Sequence, residues 1–295
     1  MDKGIKGSLM LLLTALIWGM AFVAQSVGMD YVQPFTFNFL RTILGAVVLI
    51  PIIALFRLFD KNGVKRDISL KNTVTGGIVC GVVLFAASSF QQSGIALTTA
   101  GKAGFITALY IVIVPLLELF IYKKTSAKVW LCVFIAITGF YLLCVKENFE
   151  IGRGDVLVLA CALFFAGHIM VIDYFNTKNT DGMLMSCIQF FTAAFLLLIC
   201  TFLFESPDIK SILSAWRPIV YAGVMSCGLG YTLQIIGQRH TPPTAATLIM
   251  SLESVFAALA GWLMLNEKMS IKELTGCALV FAAVILAQLK RKNES

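Results

Sequence analysis

The chain has 295 residues and a formal net charge of +7; 59% of it is hydrophobic and only 13% is charged. A soluble domain carries about 25% charged residues, so this composition excludes an ordinary water-soluble enzyme and makes the bilayer the main solvent. The basic balance does not indicate nucleic acid, because the lysines and arginines sit in short connections between apolar runs, where they set topology.

Ten apolar runs follow one another: 5–27, 34–58, 72–95, 99–122, 128–145, 154–174, 182–204, 216–238, 243–265 and 272–289. Each is long enough to cross a membrane, with 128–145 the shortest case. Backbone groups in hydrocarbon must pair within their own segment, so the runs are expected to be helices. Lys3 and Lys6 precede a first run too long for the apolar core of a signal peptide, so it is read as a span. With the N-terminus on the cytoplasmic side, fifteen basic residues fall inside and seven outside, which places both termini in the cytoplasm of a multi-pass plasma-membrane protein. The eight cysteines all lie in apolar runs, with no C-x-x-C spacing and no histidine cluster, and read as small buried residues. No metal or cofactor is expected.

An internal repeat is visible. Residues 7–25 align with 154–172 at a shift of 147, pairing Gly7 with Gly154 and Trp18 with Phe165. Residues 88–110 align with 231–253 at a shift of 143, pairing Gln91 with Gln234, Gly94 with Gly237 and Thr98 with Thr241. Five spans per unit is an odd number, so the second unit should lie inverted, as in many secondary transporters. The expected domains are residues 1–148 and 149–295, and the expected fold class is all-α, with ten transmembrane helices as two inverted five-helix repeats.

Three stretches carry a family resemblance: Ile17-Trp18-Gly19, Phe39-Leu40-Arg41, and Leu252-Glu253-Ser254-Val255-Phe256-Ala257-Ala258-Leu259 followed by Leu265-Asn266-Glu267. On these the chain resembles the EamA-like branch of the drug/metabolite transporter superfamily over nearly its whole length. Glu253 and Glu267 match the family pattern. Ser254 and Asn266 stand where proline and glycine are usual, and Lys124 where glutamate is frequent. The resemblance implies a cavity lined by helices 1–4 and 6–9 with helices 5 and 10 peripheral, and transport, often export, of amino acids, small metabolites or drug-like cations. A homodimer through the peripheral helices is a further expectation.

Candidate cavity residues come from polar and aromatic positions inside the spans. Glu253 lies mid-run and Arg41 about seven residues into the second run, both costly in hydrocarbon unless they face protein or water. Arg41 either caps helix ends or anchors a substrate carboxylate. Gln189 is its counterpart in the second unit. Gln91 and Gln234 occupy matching places, and Tyr231, Gln234 and Gln238 share a helix face. The amides serve either as interhelical glue or as cavity lining. Trp18, Phe22 and Gln25 also share a face, as packing or as an aromatic wall. Tyr110 is the partner of Glu253 under the repeat. Glu253 and His168 are the candidates for proton coupling, each with a purely structural alternative. Asp173 and Glu118 are expected near inner span ends, Lys102 and Glu267 near outer ends. Gly223, Gly228, Gly230 and Gly237 in the eighth run suggest close helix approach, a hinge or a cavity wall.

No G-x-x-x-x-G-K-[ST] stretch supplies an ATP engine. The leading expectation is a secondary transporter, in the direction of export, of a small organic metabolite such as an amino acid, or of a drug-like amine. A channel, a lipid-handling scaffold and an intramembrane enzyme are the alternatives. An enzyme lacks its motif: there is no G-x-S-x-G and only two histidines.

Overall fold

The computed structural model describes residues 3–59, 68–98, 100–122, 126–144, 151–264 and 270–288, and among them it is all helical. Lys124, Asn266, Glu267 and the side chain of Lys102 lie outside the described residues. The helices run α1 Lys3–Gly28, α2 Pro34–Phe59, α3 Leu70–Ile95, α4 Ala100–Thr107, α5 Tyr110–Tyr122, α6 Ala127–Cys144, α7 Arg153–Asn176 and α8 Gly182–Phe204. Short α9 Ile209–Ser214 and α10 Trp216–Val220 lead into a π-helix, Tyr221–Tyr231. The chain continues as α11 Thr232–Gln238, α12 Pro243–Met250, α13 Glu253–Met264 and α14 Ile271–Gln288.

Eight helical stretches among the described residues are long and apolar enough to cross a membrane, matching eight of the ten runs; Ala127–Leu142 is a shorter apolar helix. The distribution of polarity fits the same solvent. Large apolar side chains such as Leu9, Val47, Phe134, Leu163, Phe195 and Ile285 are exposed on the outside, while Asn38, Arg41, Gln92, His168, Gln189 and Glu253 are buried. A water-soluble protein would reverse this.

Side-chain caps start several helices. Ser69 accepts from Asn72 N (3.3 Å) at α3, and Asp181 accepts from Met183 N (3.0 Å) and Leu184 N (3.1 Å) at α8. The α2 N-terminus is capped from a distance: Glu205 accepts from Phe35 N and Thr36 N, both at 2.7 Å. Its two oxygens thus satisfy two N–H groups that the helix leaves unpaired.

Two helix crossings hold opposite ends of the bundle, and each is built on a pair of glycines. At the end carrying the N-terminus, α1 crosses α11: a Cβ on Gly7 would lie 2.8 Å from Gly237 O, and one on Gly237 would lie 3.0 Å from Gly7 O. At the other end, α3 crosses α7: a Cβ on Gly94 would lie 2.9 Å from Gly154 O, and one on Gly154 would lie 3.0 Å from Gly94 O. The sequence alignment pairs these same residues, Gly7 with Gly154 and Gly94 with Gly237. Only glycine lets backbones meet at this distance. Thr98 Oγ1 donates to Asp155 Oδ1 (2.7 Å) beside the second crossing. Near the first end, Thr244 donates to Glu118. Helices α6 and α14 pack on each other, with Gly139 against Gly276.

Candidate functional site

The stretches 99–122 and 243–265, each read from the sequence as one helix, are each broken near the middle. The breaks, at Ala108–Leu109 and Ser251–Leu252, have the same hydrogen-bond pattern. Ala108 N donates to Gly104 O and Ser251 N to Thr247 O; Leu109 N donates to Ile106 O and Leu252 N to Ile249 O; Ile111 N donates to Ala108 O and Ser254 N to Ser251 O. Every pair is related by the 143-residue shift. The tighter i→i−3 links interrupt the α-helical ladder at the same place in both stretches. Ser251 adds a local competitor, its hydroxyl donating to Leu248 O (2.8 Å).

The first residue after each break is Tyr110 or Glu253. Tyr110 OH donates to Glu253 Oε1 at 2.9 Å, and both side chains are buried. The residues paired by the alignment are therefore bonded to each other.

Around this bond lies a cavity lined by Trp18, Ala21, Phe22, Gln25, Arg41, Gln91, Thr107, Tyr110, Phe165, Ile169, Ser226, Tyr231, Gln234, Met250 and Glu253. Five repeat-related pairs share that wall: Trp18 with Phe165, Phe22 with Ile169, Gln91 with Gln234, Thr107 with Met250, and Tyr110 with Glu253. The cavity is small, about 30 Å³. That is room for one or two waters, against roughly 300–1,000 Å³ for a pocket that holds a small organic ligand. Trp18 and Tyr231 stack obliquely with ring centroids 4.6 Å apart, and Trp18 Nε1 donates to Ser226 O (3.4 Å) of the π-helix. Gln91 Nε2 contacts Thr107 Oγ1 at 3.5 Å, and Gln234 Oε1 is buried without a partner among the described residues.

Nine of the eleven residues singled out from the sequence line this cavity: Trp18, Phe22, Gln25, Arg41, Gln91, Tyr110, Tyr231, Gln234 and Glu253. His168 and Gln189 do not. They are fully buried behind the wall and bond to each other, Nε2 to Oε1, at 3.0 Å. The His168 ring then meets Tyr231 edge-on, with centroids 6.0 Å apart. Hence α8, the seventh span of the implied cavity, contributes no lining residue. The pseudo-equivalence of Gln189 and Arg41 does not extend to their surroundings. Gln238, on the same predicted face as Gln234, donates instead to Ile169 O (3.2 Å). Ala21, Thr107, Phe165, Ile169, Ser226 and Met250 also line the cavity; four are apolar, and Thr107 and Ser226 carry hydroxyls of a kind common in apolar spans. The repeat carries the signal for two of them, since Phe165 mirrors Trp18 and Ile169 mirrors Phe22. Thr107 and Met250 mirror each other, so neither points to the cavity until the other is known to face it.

Comparison with known proteins bears on this arrangement. The model of the EamA-like transporter family matches residues 5–145 and again residues 152–289. The chain belongs to the EamA-like transporter family. It is a multi-pass membrane protein of a family of transporters rather than of enzymes. An uncharacterized transporter of Archaeoglobus fulgidus is 30% identical over 98% of this chain and 87% of its own length. Two uncharacterized transporters of Bacillus subtilis, YoaV and YwfM, are 23% and 24% identical, over 96% and 99% of this chain and 96% and 97% of their own lengths. A crystal structure 20% identical in sequence shares the fold of this EamA-like chain, with a TM-score of 0.78 over 96% of both chains.

Proposed function

We propose that this chain is a secondary carrier that moves a small organic solute across the cytoplasmic membrane by alternating access. Its ten helical segments form two inverted five-span repeats, residues 1–148 and 149–295, with the pseudo-two-fold axis passing through the cavity. The observation that carries the reading is the set of five repeat-related pairs facing one cavity. A site shared between pseudo-symmetric halves can be opened to either side by rocking one half on the other. The two glycine crossings are the seams that part in turn: α1 on α11 at the cytoplasmic side, α3 on α7 at the outer side. With both shut, the cavity is too small for an organic solute, which fits an occluded state.

The excess of basic residues on the N-terminal side supports both termini in the cytoplasm. Family resemblance supports export as the direction, with amino acids, other small metabolites and drug-like amines as solutes. Glu253 is the coupling group, a buried carboxyl within reach of the solute space. The exposed faces of α6 and α14, with Phe134 and Ile285, are where a second copy would dock.

Reconstitution into liposomes tests the carrier reading. Saturable flux, accelerated by solute on the opposite side, is expected for at least one member of a panel of amino acids, carboxylates and amines. Flux that does not saturate would indicate a channel. No flux for any member would remove the reading.

A further inference from the structure

The carrier reading leaves the charge of the solute open, and Arg41 bears on it. This inference rests on that reading. Arg41 is 4% exposed and lines the cavity. Its Nε donates to Asn38 Oδ1 (2.8 Å), and Asn38 Nδ2 donates in turn to Ser88 O of α3 (2.8 Å). The guanidinium carbon lies 5.8 Å from the centre of the Phe37 ring. The side chain is thus fixed at its base, by a residue that α3 itself fixes, and its forked end is left to the cavity. Among the described residues it has no carboxylate partner; Arg57, by contrast, pairs with Asp181 at 3.5 Å on the surface. Glu253, the cavity's carboxyl, is held by Tyr110 instead. A carboxyl can take up a proton and become neutral, whereas a guanidinium stays charged at any depth. The wall therefore carries one permanent positive charge that no described residue pairs.

We propose that the solute carries a carboxylate that seats on the Arg41 fork, with its apolar or aromatic body against Trp18, Phe22 and Tyr231. Planar carboxylates match the parallel N–H groups of arginine, and the tilted Trp18–Tyr231 pair offers a flat apolar surface beside it. Among the solutes that the family resemblance implies, this selects carboxylates, amino acids included, over amines that lack one.

Thermal unfolding of the purified protein with matched probes tests the assignment, because a ligand bound to the folded state raises the midpoint. L-Phenylalanine and 3-phenylpropionate carry the carboxylate; L-phenylalaninamide and phenethylamine keep the ring and lose it. The first two are expected to raise the midpoint and the last two to leave it unmoved. In Arg41→Gln the two acids should bind at least about tenfold more weakly, with partial recovery in Arg41→Lys, which keeps the charge and loses the fork. Equal stabilisation by amide and amine, no stabilisation by either acid, or unchanged acid binding in Arg41→Gln would overturn the proposal. Should Arg41→Gln fail to fold, the wild-type series decides alone. Flux of phenethylamine matching that of the acids in proteoliposomes would sink the carboxylate assignment and leave the carrier standing. Absence of flux for every solute, charged or neutral, would sink the carrier itself.

Discussion

Tyr110 and Glu253 hold equivalent places in the two repeats, and one hydroxyl-to-carboxyl bond of 2.9 Å joins them. Its strength depends on the proton. A hydrogen bond to a charged group contributes about 1.5–3 kcal/mol, and one between neutral groups about 0.5–1.5 kcal/mol. Tyr110→Phe therefore reads the charge of Glu253: chemical unfolding in detergent should show a loss in the lower range if the carboxyl is neutral and in the upper range if it is ionised. For Glu253→Gln we expect a protein that still folds and inserts but whose transport no longer varies with pH. Wild-type rates with unchanged pH dependence would remove Glu253 from the mechanism. His168 is predicted to behave differently, since it touches Gln189 and Tyr231 rather than the cavity. His168→Leu leaves the Gln189 amide buried with no partner, a cost of about 1–3 kcal/mol, and the double variant His168→Leu, Gln189→Leu should recover part of it. Loss of pH-dependent transport in His168→Leu at undiminished stability would restore it as a coupling group.

Helix positions were legible from hydrophobic run length alone, because hydrocarbon leaves the backbone few choices; the breaks were not. Nothing in the composition of Ala108–Leu109 or Ser251–Leu252 announces a bend, and prolines that do announce one, Pro51 and Pro115, lie inside helices. The π-helix at Tyr221–Tyr231 was equally hidden. The glycines there predicted close approach, and Gly223 does approach α2, where an added Cβ would lie 3.0 Å from Arg41 O. A change of winding, however, depends on the packing of α1 and α2 against the segment, which local sequence does not report. Its repeat equivalent, residues 78–88, is ordinary α-helix within α3. Gly45 on α2 faces the π-helix, and a Cβ there would fall 2.6 Å from Cys227 Cβ. Gly45→Ala should destabilise the protein by about 1–3 kcal/mol through overpacking, measured by chemical unfolding. Stability equal to wild type would mean the two helices part freely at this contact.

At the scale of the whole molecule, the repeat that alignment detected only weakly recurs in contacts between distant parts of the chain, because glycine crossings, helix breaks and cavity walls follow the same shifts. Which side chains face the cavity was largely readable, since polar residues in apolar spans have few places to go. His168 and Gln189 escaped that logic by satisfying each other. The paired crossings give a reciprocal prediction. Gly7→Leu wedges α1 from α11, and Gly154→Leu wedges α7 from α3. A cysteine placed at Ser226, in a background freed of native cysteines, should react with a membrane-impermeant thiol reagent from the cytoplasmic side in the first variant and from the outer side in the second. Exposure to the same side in both would refute the assignment of the crossings as alternate seams.

The cavity wall is paired in position but not in chemistry. Gln91 faces Gln234 as like to like, yet a tyrosine answers a glutamate, a threonine answers a methionine, and the arginine has no basic twin. A two-fold frame with its charges off the axis cannot present the same surface to both compartments. The proposed carrier is then expected to show different apparent affinities on its two faces, while the gradients alone set the direction of net flow.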